Sequence, residues 1–345
     1  MSTLSSHWVQ NYYDLQEVLE SAGLITVTSG TKTDTPTVTG TLDEVFTGED
    51  IIVTVTNYDS GNFYWASSSG TSTVSGSISY IWTTPVVAGA YDFSVYSAAA
   101  NEVLSDAGIW SVDVIGGNDS YTVLLLHLDG SHQSGTFTDD SVGGSTHSFS
   151  ASGSADLTTT YKQFGTASLN SPAGTNYIYS ASNADFGMGT GDFTIDYWLK
   201  LDSFPTSYGG IWSIGQGFLG NGTPHYQECF YYSDGRLRWC SNLKGGSAEP
   251  PPYLSLMGTG PYIFTGTWHH IAHVRNGNDF RLFVDGVKED EYINQSLNFG
   301  AYQLKIGSNE YGPGTDMNGQ VDEFRISKGV VRWWDNFNVP TRAYS

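Results

Sequence analysis

The sequence predicts an all-β protein, with an N-terminal helix followed by two β-sandwiches. Three observations carry this expectation. Alternating apolar and polar residues recur in short stretches, as in Ile52-Val53-Thr54-Val55-Thr56 and Tyr91-Asp92-Phe93-Ser94-Val95-Tyr96, which is the period of a strand. The 41 glycines and abundant Ser and Thr supply many turns. A length of 345 residues with 39% hydrophobic side chains suggests two cores.

Residues 1–24 read as a helix. Trp8, Tyr12, Leu15 and Leu19 fall on one stripe at helical spacing, Ser5 or Ser6 can cap it, and Gly23 can end it. Two readings stand for this helix: packing on its own neighbouring domain, or anchoring and oligomerisation. Residues 25–117 read as a sandwich with strands at Thr37–Thr41, Asp50–Asn57, Asn62–Ser67, Ser77–Thr83, Ala90–Ser97 and Gly108–Ile115. Short strands at regular spacing suggest an immunoglobulin-like module. Ala88-Gly89-Ala90-Tyr91-Asp92-Phe93-Ser94-Val95 also resembles the turn and strand of bacterial and phage Ig-like repeats. Residues 118–120 form a short linker.

The second sandwich, 121–345, is anchored by a hairpin. Trp268, His270, Ala272 and Val274 alternate with His269, Ile271, His273 and Arg275, Asn276-Gly277 supplies a tight turn, and the return strand ends at Asp285-Gly286. Cys229 and Cys240 flank a second hairpin. A two-residue turn at Asp234-Gly235 would set them opposite each other, near enough for a disulfide, although reduced neighbours are the favoured reading.

The hairpin phrase Thr267-Trp268-His269-His270-Ile271-Ala272-His273-Val274-Arg275 resembles the signature of laminin-G-like domains of the concanavalin A-like jelly roll. Four more phrases resemble that family in the same order: Val123–Gly130, Phe164–Leu169, Gly191–Leu199, and Gly319–Arg332 with Asn336–Thr341. The resemblance implies a jelly-roll binding scaffold over 121–345. The long closing phrase is similar to the variant found in phage virion proteins.

Charge excludes some functions. Lys and Arg total 14 against 35 Asp and Glu, a net charge of −21. Nucleic acids and anionic membranes need clustered cations, and the sequence has none. No window approaches the ~18 apolar residues of a membrane span. No basic and apolar leader opens the chain, so synthesis in a cytoplasm is expected.

An enzyme is not expected. Glycoside hydrolysis needs two carboxylates across the sugar bond, and the acid run Glu289-Asp290-Glu291 reads as a solvated loop. His269 and His270 are adjacent on a strand and cannot converge on one metal. Thr138–Gly144 resembles a family loop that holds structural calcium in several relatives, which implies Asp140, with Asp129 and Asp322, as Ca2+ ligands. The alternative is that these acids are turn-formers. Two long loops, Pro205–Tyr226 and Ser241–Phe264, carry Trp212, Tyr226, Tyr253 and Tyr262 as candidate carbohydrate-binding platforms.

The function expected from these readings is a non-enzymatic phage virion structural or decoration protein, on head or tail, displaying a lectin-like domain at the virion surface. Its expected partners are other virion proteins, a host-surface polysaccharide and further copies of the chain, as in a trimer. The alternatives are a bacterial carbohydrate-binding adhesin and a glycan-active enzyme of the same fold.

Overall fold

A computed structural model describes residues 117–215, 227–241, 254–258, 263–309 and 316–344 with their side chains, and backbone strands between 37 and 115 and within 243–248. The expected helix, with Trp8, Tyr12, Leu15 and Leu19, lies outside the described residues. The chain divides into two compact units, Met1–Ile115 and Gly116–Ser345.

In the first unit the strands Thr37–Gly40, Asp50–Thr56 and Ser79–Thr83 form one antiparallel sheet. A second sheet runs in the order Glu44–Phe46, Gly108–Ile115, Gly89–Ala98, Asn62–Ser67, Ser72–Ser75. Its first pair is parallel and the rest are antiparallel.

The second unit is built from two large antiparallel sheets and a two-stranded ladder of Leu243–Lys244 with Ser247–Ala248. The seven-stranded sheet has the order Phe149–Ser152, Tyr177–Ser180, Gln303–Ile306, Tyr208–Gly215, Gln227–Tyr232, Leu237–Ser241, Leu254–Met257. The other has the order Asp156–Thr158, Ser168–Ser171, Gly319–Lys328, Phe193–Leu201, Trp268–Asn276, Asp279–Val284, Val287–Tyr292, with Thr122–Leu126 also pairing Gly319–Lys328. One buried cluster draws on both sheets: Ile178, Trp212, Cys229, Trp239 and Ile306 from the first, and Ile195, Tyr197, Ile271, Phe280 and Phe324 from the second. Among the described residues the single helical element is a 3-10 turn, Ala184–Phe186, and none is long and apolar enough to cross a membrane.

The turns show why these strands pair as they do. Trp268–Asn276 and Asp279–Val284 meet through Gly277-Asn278, with Gly277 at φ 60°. The positive φ therefore sits on Gly277, and Asn276 is the last paired residue. Asp285 and Gly286, at φ 49° and 75°, close the next hairpin, the geometry of a type I′ turn. The acid run expected in a solvated loop is instead part of the strand Val287–Tyr292, with Glu289 buried. An Asp-Gly turn this tight passes directly into pairing.

The cysteine hairpin departs from expectation by one residue. Tyr232 N donates to Arg236 O at 2.9 Å and Gly235 N to Tyr232 O at 3.0 Å, so the loop is Ser233-Asp234-Gly235, with Gly235 at φ 80°. Cys229 consequently pairs with Trp239, and Cys240 with Glu228. A one-residue shift exchanges the two faces of a strand. Cys229 enters the main core, while Cys240 joins Phe230, Tyr208 and Tyr232 on the outward side. Both cysteines are free and buried.

Candidate functional site

The two sheets bury their inner faces against each other, so recognition has to use an outward face or the strand ends. On the larger sheet the outward face is occupied by the chain itself. Arg325 donates from Nε and Nη2 to the two oxygens of Asp196, at 3.0 and 3.2 Å. Tyr344 OH donates to Asp196 Oδ2, and the Tyr344 ring stacks 3.6 Å from the Arg325 guanidinium carbon. His270 Nε2 is 3.6 Å from the same carboxylate. Burial opposes the charge on Asp196, but Arg325 and His270 outweigh it and hold the carboxyl below the usual range. Trp333 and Phe337 stack at 4.3 Å and pack over Ala272, Val274 and Phe283. The segment following Gly319–Lys328 thus makes a second small core on this side.

The outward face of the seven-stranded sheet follows from register. Ile178, Ile306, Trp212, Cys229, Trp239 and Leu256 are matched across the strands and all point into the core. Successive residues on a strand face opposite ways. The adjacent matched row, Ser150, Tyr179, Lys305, Ser213, Glu228, Cys240 and Ser255, therefore faces outward. Tyr177 lies beside it, 6.0 Å from Tyr179 between ring centres. On the two middle strands Phe230 packs 5.6 Å from Tyr208 and 5.4 Å from Tyr232. Arg238 crosses this cluster, donating to Tyr232 OH and Ser255 Oγ, both at 3.1 Å. Tyr177, Tyr179, Tyr208 and Tyr232 are all half-buried. Burial, followed by Glu228 and Tyr232, raises the Tyr208 phenol.

The centre of this row is closed, with Ser213, Glu228 and Cys240 fully buried, while Tyr177, Tyr179, Tyr208 and Tyr232 keep part of their rings and hydroxyls exposed beside Lys305 and Arg238. Glu228 is its one carboxylate and is fully buried. The arrangement can stack against an apolar ring face and hydrogen-bond at the edges, and a single enclosed carboxylate does not provide the pair that glycoside hydrolysis uses.

The sequence-derived platforms fare unevenly. Trp212 is not a platform. It lies in the strand Tyr208–Gly215, has 0% exposure, and donates to His273 Nε2 at 3.4 Å. The stretch expected as a loop is a central strand there, because alternation takes Trp212 inward. Tyr226, Tyr253 and Tyr262 lie outside the described residues. Within the second expected loop, Leu254–Met257 is an edge strand.

The expected calcium ligands do not assemble. Among the described residues no group of three or more His, Cys, Asp or Glu is placed to hold a metal. Each acid is engaged or turned away. Asp129 accepts from Thr166 N, and from Ala167 N and Thr166 Oγ1 at 3.0 Å each. Asp322 accepts from Gln163 N at 2.7 Å, Phe164 N at 3.1 Å and Glu323 N at 2.9 Å, while burial pushes its carboxyl up to about 8. Asp140 is exposed. Its neighbour Asp139 turns inward and accepts from Leu125 N, Ser141 N and His147 N. His147 Nδ1 fills the remaining side of that carboxylate at 2.7 Å. Asp129 and Asp322 thus serve as acceptors for loop and strand amides, and Asp140 does not join them.

The residues that sequence reasoning missed are Tyr177, Tyr179, Phe230, Tyr232 and Arg238. Their signal was the alternation itself: Tyr177-Ile178-Tyr179 flanks an inward Ile with two outward rings.

Residues 172–333, a little under half of the chain, match the concanavalin A-like lectin/glucanases superfamily in its laminin G form. No curated protein matches the sequence. Among solved structures, the binding domain of Paraclostridial Mosquitocidal Protein 1 is similar with TM-score 0.46 and 14% identity over 61% of this chain and 49% of that one. The botulinum neurotoxin serotype G binding domain gives 0.44 and 11% over 61% and 48%. Domain 4 of AbnA, a GH43 extracellular arabinanase from Geobacillus stearothermophilus solved with arabinotriose, gives 0.45 and 15% over 61% and 93%. The chain spans about half the length of the two toxin binding domains it matches. Residues 172–333, which hold most of the two-sheet core, form a domain of the concanavalin A-like lectin/glucanases superfamily.

Proposed function

We propose that the chain is a non-enzymatic surface component of a phage virion and that its second unit binds glycan through the outward face of the seven-stranded sheet. The observation that carries the binding reading is the set of partly exposed tyrosines on this face: Tyr177 and Tyr179 on the second strand of the sheet, Tyr208 on the fourth and Tyr232 on the fifth, with Lys305 and Arg238 between and beside them. Exposed ring contacts of this kind contribute on the order of 1 kcal/mol each. Binding by one copy is then weak, and useful adhesion comes from many copies on one particle, where multivalency raises avidity roughly 10²–10⁴-fold. Display on a virion suits that arithmetic.

The virion assignment rests on Gly319–Arg332 with Asn336–Thr341, which resembles the long closing phrase of phage virion proteins. In this reading the strands of the first unit form an immunoglobulin-like module, Trp8, Tyr12, Leu15 and Leu19 serve in anchoring or oligomerisation, and Tyr226, Tyr253 and Tyr262 extend the glycan surface.

The test is affinity electrophoresis of the full chain in gels containing bacterial capsular and O-antigen polysaccharides. At least one should retard the wild type, and Tyr179→Ala and Tyr232→Ala should each weaken binding about fivefold. Retardation unchanged in both variants refutes this face. Release of reducing sugar from the same polysaccharides refutes the non-enzymatic reading.

A further inference from the structure

We propose that the polysaccharide bound by the outward face of the seven-stranded sheet is an acidic one, held through its anionic groups; this rests on the glycan-binding reading above. Two properties of the face point to it: which polar groups a ligand can reach, and in which direction those groups hydrogen-bond. Lys305 and Arg238 are partly exposed. The carboxylates nearest them are withdrawn. Glu228, in the same row, and Asp316 are both buried. Burial raises the Asp316 carboxyl, and Ser308 and Lys305 oppose it. These two acids can balance the cations from beneath but do not meet a ligand. Asp234, exposed in the turn beyond Tyr232, is engaged by Arg236 N at 3.2 Å and Arg236 Nε at 2.8 Å.

Arg238 sets the polarity of its neighbours. It donates from Nη1 to Tyr232 OH and from Nη2 to Ser255 Oγ, both at 3.1 Å. Each hydroxyl oxygen therefore accepts from the guanidinium, and its own proton is left to donate elsewhere. Tyr232 and Ser255 are both partly exposed. Guanidinium and ammonium groups donate and never accept. Tyr232, Ser255, Arg238 and Lys305 thus offer a ligand protons more readily than lone pairs.

That direction selects the ligand class. A neutral sugar hydroxyl that accepts from this face must still place its own proton, and a desolvated donor without an acceptor is costly. A carboxylate or phosphate accepts at every lone pair and brings no such proton. Hydrogen bonds from these donors to an anion are also roughly twice as strong as neutral ones. The net charge of −21 opposes an anion only weakly here, because salt screens exposed charges beyond about 8 Å at physiological ionic strength. Lys305 and Arg238 stand three strands apart in the sheet, about 14 Å at the usual strand spacing. They suit separate anionic groups along one polymer rather than a single ion, with the tyrosine rings left for the sugar faces.

The experiment is biolayer interferometry of the full chain on immobilised polygalacturonate, alginate and a wall teichoic acid, with neutral dextran and galactomannan beside them. The expected result is binding to at least one acidic polymer, about fivefold or more tighter than to either neutral one. Binding to the teichoic acid alone identifies phosphate as the anion, and binding to polygalacturonate or alginate alone identifies carboxylate. Lys305→Gln should weaken the acidic binding about fivefold, and Lys305→Arg should keep it. Raising the salt should weaken it as well, and this arm decides if Lys305→Gln lowers the melting temperature, since it needs no variant. Neutral polymers bound as tightly as acidic ones overturn the acidic class and leave the sheet face standing. Acidic binding that is unchanged in a folded Lys305→Gln, or indifferent to salt, overturns it too. Binding to none of the polymers overturns this inference, and the capsular and O-antigen gels then decide whether the glycan reading falls with it.

Discussion

On the larger sheet the outward residues Asp196, His270, Ala272, Val274 and Arg325 lie buried beneath Trp333, Phe337 and Tyr344. On the seven-stranded sheet the outward Tyr177, Tyr179, Tyr208 and Tyr232 remain half-buried. Both faces arise from the same two-residue alternation, so local pattern does not explain the difference. The difference lies in what the chain places over them. One face receives a segment that matches it in charge and shape, and becomes a second core. The other buries Ser213, Glu228, Phe230 and Cys240 but leaves Tyr177, Tyr179, Tyr208 and Tyr232 partly exposed, where a ligand can reach them. Substitutions on the two faces should therefore behave differently, stability responding on the first and binding on the second.

The largest effect is expected at Arg325→Ala. It leaves Asp196 buried beside Tyr344 without its guanidinium, and removing one partner of a buried pair costs about 3–5 kcal/mol. Denaturant unfolding of the second unit measures it. A loss below about 1 kcal/mol would mean that the tail can be displaced at little cost and that the two faces are energetically alike.

Next is a pH effect seated between the faces. His273 is fully buried, and its Nε2 accepts from Trp212 Nε1 at 3.4 Å and lies 3.1 Å from Tyr197 OH. Burial pushes the imidazole down to about 3, with Asp196 opposing. The folded chain thus keeps His273 neutral while the unfolded chain takes up a proton below about 6.5. This contribution to stability is complete above about pH 6.5 and declines as pH falls toward 3, by up to about 1.4 kcal/mol per pH unit. His273→Leu should flatten that decline relative to wild type. Parallel stability curves from pH 7 to 4 would show that another group sets the slope.

Smaller effects are expected on the open face. Tyr179→Ala and Tyr232→Ala should cost less stability than Arg325→Ala, since each removes a partly exposed ring and leaves no buried charge without its partner, while glycan affinity falls. If melting temperature drops as far as with Arg325→Ala, this face is also a core.

The smallest effect is at the cysteines. Burial pushes the Cys229 thiol up to about 12 and Cys240 well above its usual value. Thiolate is the reactive form, so the native protein should resist an aromatic disulfide reagent until it unfolds. Rapid labelling of the native state would place one thiol at the surface and show that the cluster around Cys240 and Phe230 is not closed.

Much of the fold was legible because turns and alternation are local. Gly277, Asp285 and Gly286 marked two hairpins, and the strands at Asp50–Thr56, Asn62–Ser67 and Gly108–Ile115 matched their expected ranges to within a residue. The candidate site was less legible. Trp212 was read as a loop residue because nothing in its neighbourhood marks it as the centre of a sheet, and Tyr177 and Tyr179 look in sequence like any short strand. A turn longer by one residue, at Ser233-Asp234-Gly235, was enough to exchange the faces of the cysteine hairpin.

The sequence by itself determined the all-β class, the hairpin turns and the order of the family phrases, since each depends on residues close together in the chain. Only the tertiary structure decided which outward face the C-terminal segment covers. Asp196 pairs with Arg325 and Trp198 with Asp322, so Gly319–Lys328 carries one extra residue across that step. Glu323, at φ 50°, lies within this bulge and receives Tyr344 N at 3.1 Å. The bulge brings Asp322 and Arg325, which simple alternation would send to opposite faces, to the same side. That placement gives Asp196 its partner and the C-terminal segment its seat, through pairings separated by more than a hundred residues, where no local period operates.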